Sequence, residues 1–441
     1  MHKLGMEMSL YLFLMKYSMK KVFLFCVLSC VSMFIGCTDS TNNTITPMSY
    51  PQQATVNKRV VMSTTPNGVK VFNGGYGSSI TSNSEGIYYI MTDRGPNIDG
   101  SASGVKVFSN PEFNPHMGKF KLVGDSLVLQ SIISFKDENG KALTGLPNPA
   151  GAGGTGEIAL DLAGNAINLD VNGIDPEGLV IANDGTFWVS DEYGPHILHL
   201  DQTGKTIERI NPFGSGIGGK KIPSVFAKRR ANRGMEGMTI TPDQKYLVGM
   251  MQSPLYNPDS KVKNTAVAVR ILFYEIATGT AKEYVYILDN VNYAVSEIVA
   301  ITNTTFLVLE RDGNFPGKDA TNFKKVFKID IANASDITVA DAGGKLINSK
   351  TIEQSTPDEI KTAGIIAVSK SEIVDIMRIP NYPHDKPEGI VIINNNMIGI
   401  INDDDFGING TGVYEPKLMP FLSNNADINV IYFVPTLKPL K

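Results

Sequence analysis

Cysteine is nearly absent from this chain. Its three cysteines, Cys26, Cys30 and Cys37, all fall within the first 37 of 441 positions, so the rest can form neither a disulfide nor a thiol nucleophile. Histidine is sparse and scattered, with five in all. No H-E-x-x-H occurs, and no G-x-S-x-G elbow, which argues against a zincin and against an α/β-hydrolase-type esterase. His196 and His199, three apart in a predicted strand, face opposite sides and make a poor zinc pair. The glycine run at 151–156 is followed by no Lys-Ser/Thr and is not a phosphate-cradling loop. The single Trp188 alternates with core positions and reads as packing. Basic charge is not in excess: 40 Lys and Arg against 44 Asp and Glu give a net charge of −4, and there is no long basic run, so nucleic acid is a poor partner. Helical periodicity is also scarce. The best candidates are 222–230 and 356–362, the latter with Thr356 as N-cap and Pro357 at the first helical position.

What the sequence has is a repeated phrase. Residues 175–195 read DPEGLVIANDGTFWVSDEYGP, 235–255 read MEGMTITPDQKYLVGMMQSPL, 296–314 read SEIVAITNTTFLVLERDGN and 386–408 read KPEGIVIINNNMIGIINDDDFGI; a variant, SEGIYYIMTDRGPN, occupies 84–97. Each copy is a Glu, usually followed by Gly, then an apolar strand, a turn, a second apolar strand and, in most, an acidic cluster. Repetition of this kind predicts an array of similar units. Asn183-Asp184-Gly185 between 178–182 and 186–190 is a strong hairpin signal. Pro242-Asp243 and Asn394-Asn395-Asn396 play the same part in two other copies. Further strands are predicted at 197–200, 205–210, 269–276 and 281–288. Four strands per unit predict an all-β chain folded as a β-propeller. The spacings of Glu177, Glu236, Glu297 and Glu388 leave a long last gap that has room for a degenerate blade, so six blades are expected and seven are a variant.

The first residues read as an address. The stretch 19–37 has a pair of lysines, an apolar run too short for a durable span, and a small-residue end, the pattern of a signal peptide; Met19 begins a better-formed signal than Met1. Phe34-Ile35-Gly36-Cys37 resembles a bacterial lipobox, which marks Cys37 for lipidation. The expected organisation is a signal at 1–36, the lipidated Cys37 and a flexible tether over 37–55 rich in Thr, Asn, Ser and Pro, and a propeller domain over 56–441. That describes a monomer of the cell envelope, held to a membrane by lipid.

In a propeller the innermost strands line a central channel, and loops at one end form the site. Glu177, Glu236, Glu297 and Glu388 are therefore expected to ring one mouth. Asp93, Asp191-Glu192, Glu310 and Asp403-Asp404-Asp405 are expected to form a second ring. The recurring Gly argues that the Glu-Gly pair also serves as a turn in which glycine supplies backbone freedom. A turn alone does not require a carboxylate each time. Clustered buried carboxylates repel unless a cation or arginine sits among them.

DRGPN at 93–97, DPEGL at 175–179, DEYGP at 191–195, NRGMEGM at 232–238, LERD at 309–312, and KPEGI with NDDDFG at 386–390 and 402–407 resemble the phytase-like family, described by an esterase-like activity of phytase. The resemblance covers roughly residues 60–435, and its motifs fall in order. It implies a calcium-dependent hydrolase of small phosphomonoesters or phosphodiesters that uses an activated water. The metal would be held among Asp93, Asp175, Glu177, Asp191, Glu192, Glu236, Glu297, Glu310, Glu388, Asp403 and Asp404. Glu177 and Glu236, with Arg94, Arg233 and Arg311 as paired donors to phosphate, are the candidate catalytic groups. Two departures stand out: Ser296-Glu297-Ile298 in place of Glu-Gly, and Met250-Met251-Gln252 where an acidic pair would stand. The rival readings are a calcium-dependent lactonase or carboxyl-esterase propeller and a non-catalytic surface propeller that binds a ligand or protein.

Overall fold

The computed structural model describes residues 50–57, 59–317 and 322–441. The signal segment, Cys37 and nearly all of the tether lie outside the described residues. A compact unit spans Pro51–Lys441, so the domain begins a few residues before the expected boundary at 56.

Alternating apolar residues and tight turns fold this unit into antiparallel four-stranded blades. Blade 2 runs Pro176–Ile181, Phe187–Asp191, Ile197–Leu200 and Thr206–Ile210. Blade 3 runs Met235–Ile240, Tyr246–Met251, Ala268–Glu275 and Ala281–Ile287. Blade 4 runs Ala294–Ala300, Thr305–Arg311, Lys324–Asp330 and Ser369–Asp375. Blade 1 comprises Tyr76–Ser82, Ile87–Thr92, His116–Val123 and Ser126–Ser134. Blade 5 takes Pro387–Asn394, Met397–Asn402 and Val430–Pro435 from the end of the chain and Gln53–Val56 from its beginning. The N-terminal strand pairs antiparallel with Val430–Pro435 and, in parallel, with the outer strand of blade 1. That second pairing joins blades 5 and 1 into one eight-stranded sheet.

The first strand of each blade packs against the first strand of the next, and that of blade 5 packs against that of blade 1. The ring is closed with five blades among the described residues, not six. The long gap between Glu297 and Glu388 holds no degenerate blade. It holds an insertion between the third and fourth strands of blade 4, containing the short hairpin Leu346–Ile347/Lys350–Thr351 and the helix Pro357–Thr362. Thr356 caps that helix in a capping box with Glu359, as the sequence predicts. The other expected helix reduces to a 3-10 turn, Ser224–Lys228.

The core lies between blades, where the apolar faces stack. Ile197, Met238, Leu272 and Tyr286 belong to the largest cluster. The insertion seats Ile337, Ile352, Ile360 and Ile365 on Ala268 and Val285 of blade 3. Trp188 is buried, stacked on His199 with ring centroids 3.8 Å apart.

Candidate functional site at the channel mouth

Each innermost strand carries an irregularity at the same place. In blade 2 the pairing runs Pro176↔Asp191 and then Gly178↔Ser190, so Glu177 has no partner across the ladder. Glu236 is skipped in the same way in blade 3, and Glu388 in blade 5. A β-bulge leaves its extra residue unpaired and re-aims its side chain, and here it turns a carboxylate into the channel mouth. The glycine that follows has a different task from the one expected. Neither Gly178 nor Gly237 has a positive φ; a Cβ on Gly237 would lie 2.6 Å from the backbone nitrogen of Ile298 and 2.8 Å from the Cα of Glu297, in the neighbouring blade. Glycine is needed for close approach of two backbones, not for conformational freedom.

The bulges correct the alignment of the copies. In blade 4 the skipped residue is Ser296, while Glu297 pairs with Leu309. Glu297 thus stands where the other copies have Gly. It accepts hydrogen bonds from the Ser79 hydroxyl at 2.5 Å and the Ile298 N–H at 2.9 Å, and it does not line the mouth. In blade 1 the inner strand is Tyr76–Ser82, so Glu85-Gly86 forms the hairpin turn and this blade has no glutamate at its bulge, which falls between Tyr76 and Ser79.

A second ring follows from the far end of the second strands. Asp93, Glu192, Gln252, Arg311 and Asp403 occupy equivalent positions, one per blade, and all line a mouth cavity of about 370 Å³. The residue before each points away, because side chains alternate along a strand. Asp191 accepts the Asp175 N–H at 2.6 Å and the Gly194 N–H at 3.0 Å. Glu310 accepts the Asp289 N–H at 2.8 Å, the Tyr286 hydroxyl at 2.5 Å and Lys370 at 2.6 Å. Asp404 accepts the Gly75 N–H at 2.9 Å on another face. The structure therefore brings Asp93, Arg94, Asp175, Glu177, Glu192, Arg233, Glu236, Arg311, Glu388 and Asp403 together around one cavity. It leaves Asp191, Glu297, Glu310 and Asp404 outside it.

The acidic half of the mouth is unbalanced. Oxygens of Asp175, Glu177 and Glu192 lie within 4.8 Å of one another. Two carboxylates about 4 Å apart repel by about 4 kcal/mol at an effective dielectric near 20, so three such contacts rival the stability of a whole domain. Burial, then Glu236 and Asp175, push the Glu177 carboxyl well above its ordinary value. Burial and Glu192 do the same to Glu236. Burial and Asp175 raise Glu192 to about 7, partly offset by a hydrogen bond with Glu236. Burial and Asp175 also raise Asp93. Glu192 Oε1 and Glu236 Oε2 are buried without a hydrogen-bond partner. Orphaned oxygens in an all-carboxylate set fit a hard cation such as calcium, and Asp175, Glu177 and Glu192 are the residues that could hold one.

The other half is neutralised by its own side chains. Arg311 donates to Glu388 and, at 2.8 Å, to Ser296, so Arg311 takes the place of a carboxylate in its ring and serine that of a glutamate. On the acidic side Arg94 offsets only Asp175, at 3.3 Å, and lies 3.8 Å from Glu157, which leaves Glu177, Glu192 and Glu236 without an ion pair among the described residues. Lys386 and Lys417 reach Asp405 at 2.6 and 2.7 Å; despite burial, these two ammonium groups hold the Asp405 carboxyl well below its usual range. Behind them, His384 bonds Asp427 at 2.7 Å and the Tyr432 hydroxyl at 2.9 Å. Lys106 pairs with Asp99 at 2.5 Å. Lys106 and Lys417 also line the mouth, and sequence reasoning did not assign them to it; Asp385 and Lys386, just before Glu388, line it too, as their place in the sequence suggests. Lys106 lies on the short strand Val105–Phe108, outside the four-stranded blades, and Lys417 between two two-residue strands, and no repeat flags either.

The family model for phytase-like proteins, esterase-like activity of phytase, matches residues 73–406. An uncharacterized secreted protein of Arthroderma benhamiae is 30% identical over 327 residues, which is 58% of this chain; the chain spans about 62% of the length of that relative. Solved structures give fainter likenesses. A Lactobacillus plantarum protein is 10% identical with a TM-score of 0.34, over 87% of this chain and 99% of that one. Virginiamycin B lyase of Staphylococcus aureus is 13% identical with a TM-score of 0.32, over 82% and 86%. These scores carry no argument, and the fold assignment rests on the strand pairings.

Proposed function

Since the chain belongs to the phytase-like family, we propose that it is a secreted hydrolase that cleaves phosphoric esters at the channel mouth with calcium and water. One observation carries this reading: three buried carboxylates converge within 4.8 Å, with unpartnered oxygens on Glu192 and Glu236, in a cavity that Arg233 also lines. Asp175, Glu177 and Glu192 would hold the cation, which when bound supplies positive charge that polarises a phosphoryl oxygen and acidifies water. Glu236, its carboxyl raised by burial and by Glu192 beside it, holds a proton and can exchange it with a water or a leaving oxygen. Arg233 offers paired donors to the phosphoryl group. Delivery to the cell envelope through a lipid on Cys37 belongs to the same reading. It is supported by the lipobox and by the secreted relative; among the described residues no helix is long and apolar enough to cross a membrane.

The ion pairs of Arg94, Arg311, Lys386 and Lys417 favour a second reading, a propeller that binds its ligand without turnover, because ion-paired side chains are less free to serve a substrate. Phosphodiesterase and phosphomonoesterase assays with calcium and with chelator separate the two. Under the first reading turnover requires calcium and falls at least about a hundredfold in Glu177→Gln and Glu236→Gln. Calcium that raises the melting temperature without any turnover would transfer the case to the second.

A further inference from the structure

We propose that the mouth takes substrates bearing a single phosphoryl group, gripped by Arg233, and rejects polyphosphorylated ones such as inositol hexakisphosphate. This rests on the hydrolase reading and narrows its substrate class. Six cationic side chains line the cavity. Five are committed: Arg94 to Asp175 at 3.3 Å, Lys106 to Asp99 at 2.5 Å, Arg311 to Glu388, and Lys386 and Lys417 to Asp405 at 2.6 and 2.7 Å. Among the described residues Arg233 is the one cation lining the mouth that makes no ion pair. It stands just before the inner strand of blade 3, where its backbone bridges to Arg230, and it is half-buried.

Charge balance points the same way. Ten carboxyl groups and six cationic side chains line the mouth, so carboxyl groups outnumber cations and, with five of the cations paired, one guanidinium is left to meet an anion. One phosphoryl group can be met by one planar guanidinium and one cation. Each further phosphoryl group would face a wall of carboxyl oxygens whose cations are already engaged. Breaking a buried pair such as Arg311–Glu388 to supply a donor would leave an uncompensated charge.

The test is steady-state kinetics of the purified chain with calcium on p-nitrophenyl phosphate, bis(p-nitrophenyl) phosphate and inositol hexakisphosphate, with inhibition by inorganic phosphate as a binding readout. On at least one of the first two, kcat/KM is expected to exceed that on the hexakisphosphate by about tenfold or more. Arg233→Gln is expected to raise KM and the phosphate inhibition constant about tenfold, with Arg233→Lys recovering part of the loss. Because among the described residues no ion pair holds this guanidinium, Arg233→Lys, which keeps the positive charge, should keep the parent melting temperature. Turnover of the hexakisphosphate equal to or faster than that of the simple esters overturns the inference and leaves the hydrolase reading intact. So does an Arg233→Gln variant with unchanged KM and phosphate inhibition. No turnover of any of the three removes the hydrolase reading and this inference with it.

Discussion

Glu192 and its neighbours set how the mouth responds to protons. Its carboxyl is raised from an ordinary value near 4.5 to about 7 by burial and Asp175, and Glu177, Glu236 and Asp93 shift in the same direction. Without a cation, the folded chain keeps protons that the unfolded chain releases above about pH 4.5, so stability falls as pH rises toward and through about 7. Asp405 and Asp427 are shifted the opposite way, and their contribution is lost only on the acid side of that window. The melting temperature in chelator should therefore drop between about pH 5 and pH 8, while calcium, by displacing those protons, should flatten or reverse the slope. A chelated protein that grows more stable across this interval would contradict the assignment. The glycine after each bulge offers a second residue-scale check. Gly237→Ala would place a Cβ 2.6 Å from the backbone of blade 4, which should cost about 1–3 kcal/mol in urea unfolding.

At the scale of elements, the hairpins were legible in the sequence because their turns and apolar alternation are local properties. Pro176–Ile181 with Phe187–Asp191, and Met235–Ile240 with Tyr246–Met251, fall where Asn183-Asp184-Gly185 and Pro242-Asp243 place them. The bulges were not legible, because a bulge is a relation between two strands and leaves no mark on one. That is why the sequence aligns Glu297 with Glu177 when Ser296 is its counterpart, and why Glu310 is expected in the ring position that Arg311 occupies. The insertion in blade 4 was likewise hidden, since its anchor is an interaction distant in sequence. Arg270 of blade 3, almost wholly buried, donates to Glu283 at 2.6 Å and to Glu353 of the insertion at 2.7 Å. Glu353→Ala would leave that guanidinium with half its compensation, at a cost of about 3–5 kcal/mol. Limited proteolysis should then cut first between residues 331 and 368; an unchanged cleavage pattern would show that the apolar contacts of Ile352 and Ile360 suffice.

For the whole molecule, the repeats revealed the architecture but not the number of blades. Spacing counts residues without saying which of them build strands, and the stretch from 297 to 388 holds one blade's remainder and an insertion. The five-fold ring also explains why the site is lopsided. Blades 2 to 5 each carry the same two positions at the mouth end, and the chain fills them differently: Glu177 with Glu192, Glu236 with Gln252, Ser296 with Arg311, and Glu388 with Asp403; blade 1 adds Asp93 alone. Glu177, Glu192 and Glu236 crowd one side and Arg311 relieves the other, so the same backbone yields a cation-seeking half and a self-neutralised half.

The strand Gln53–Val56 lies between the last strand of blade 5 and the outer strand of blade 1. It is made among the first of the described residues, and Val430–Pro435 among the last. Until residue 435 has been made, the edge of Gln53–Val56 that faces blade 5 stands open, and open edges invite pairing with another chain. The ring thus works as a clasp whose two halves are made at opposite ends of the domain. A chain stalled or cut short before residue 430 would leave blade 5 without its third strand and the opening strand without its main partner, prone to dock onto a neighbour.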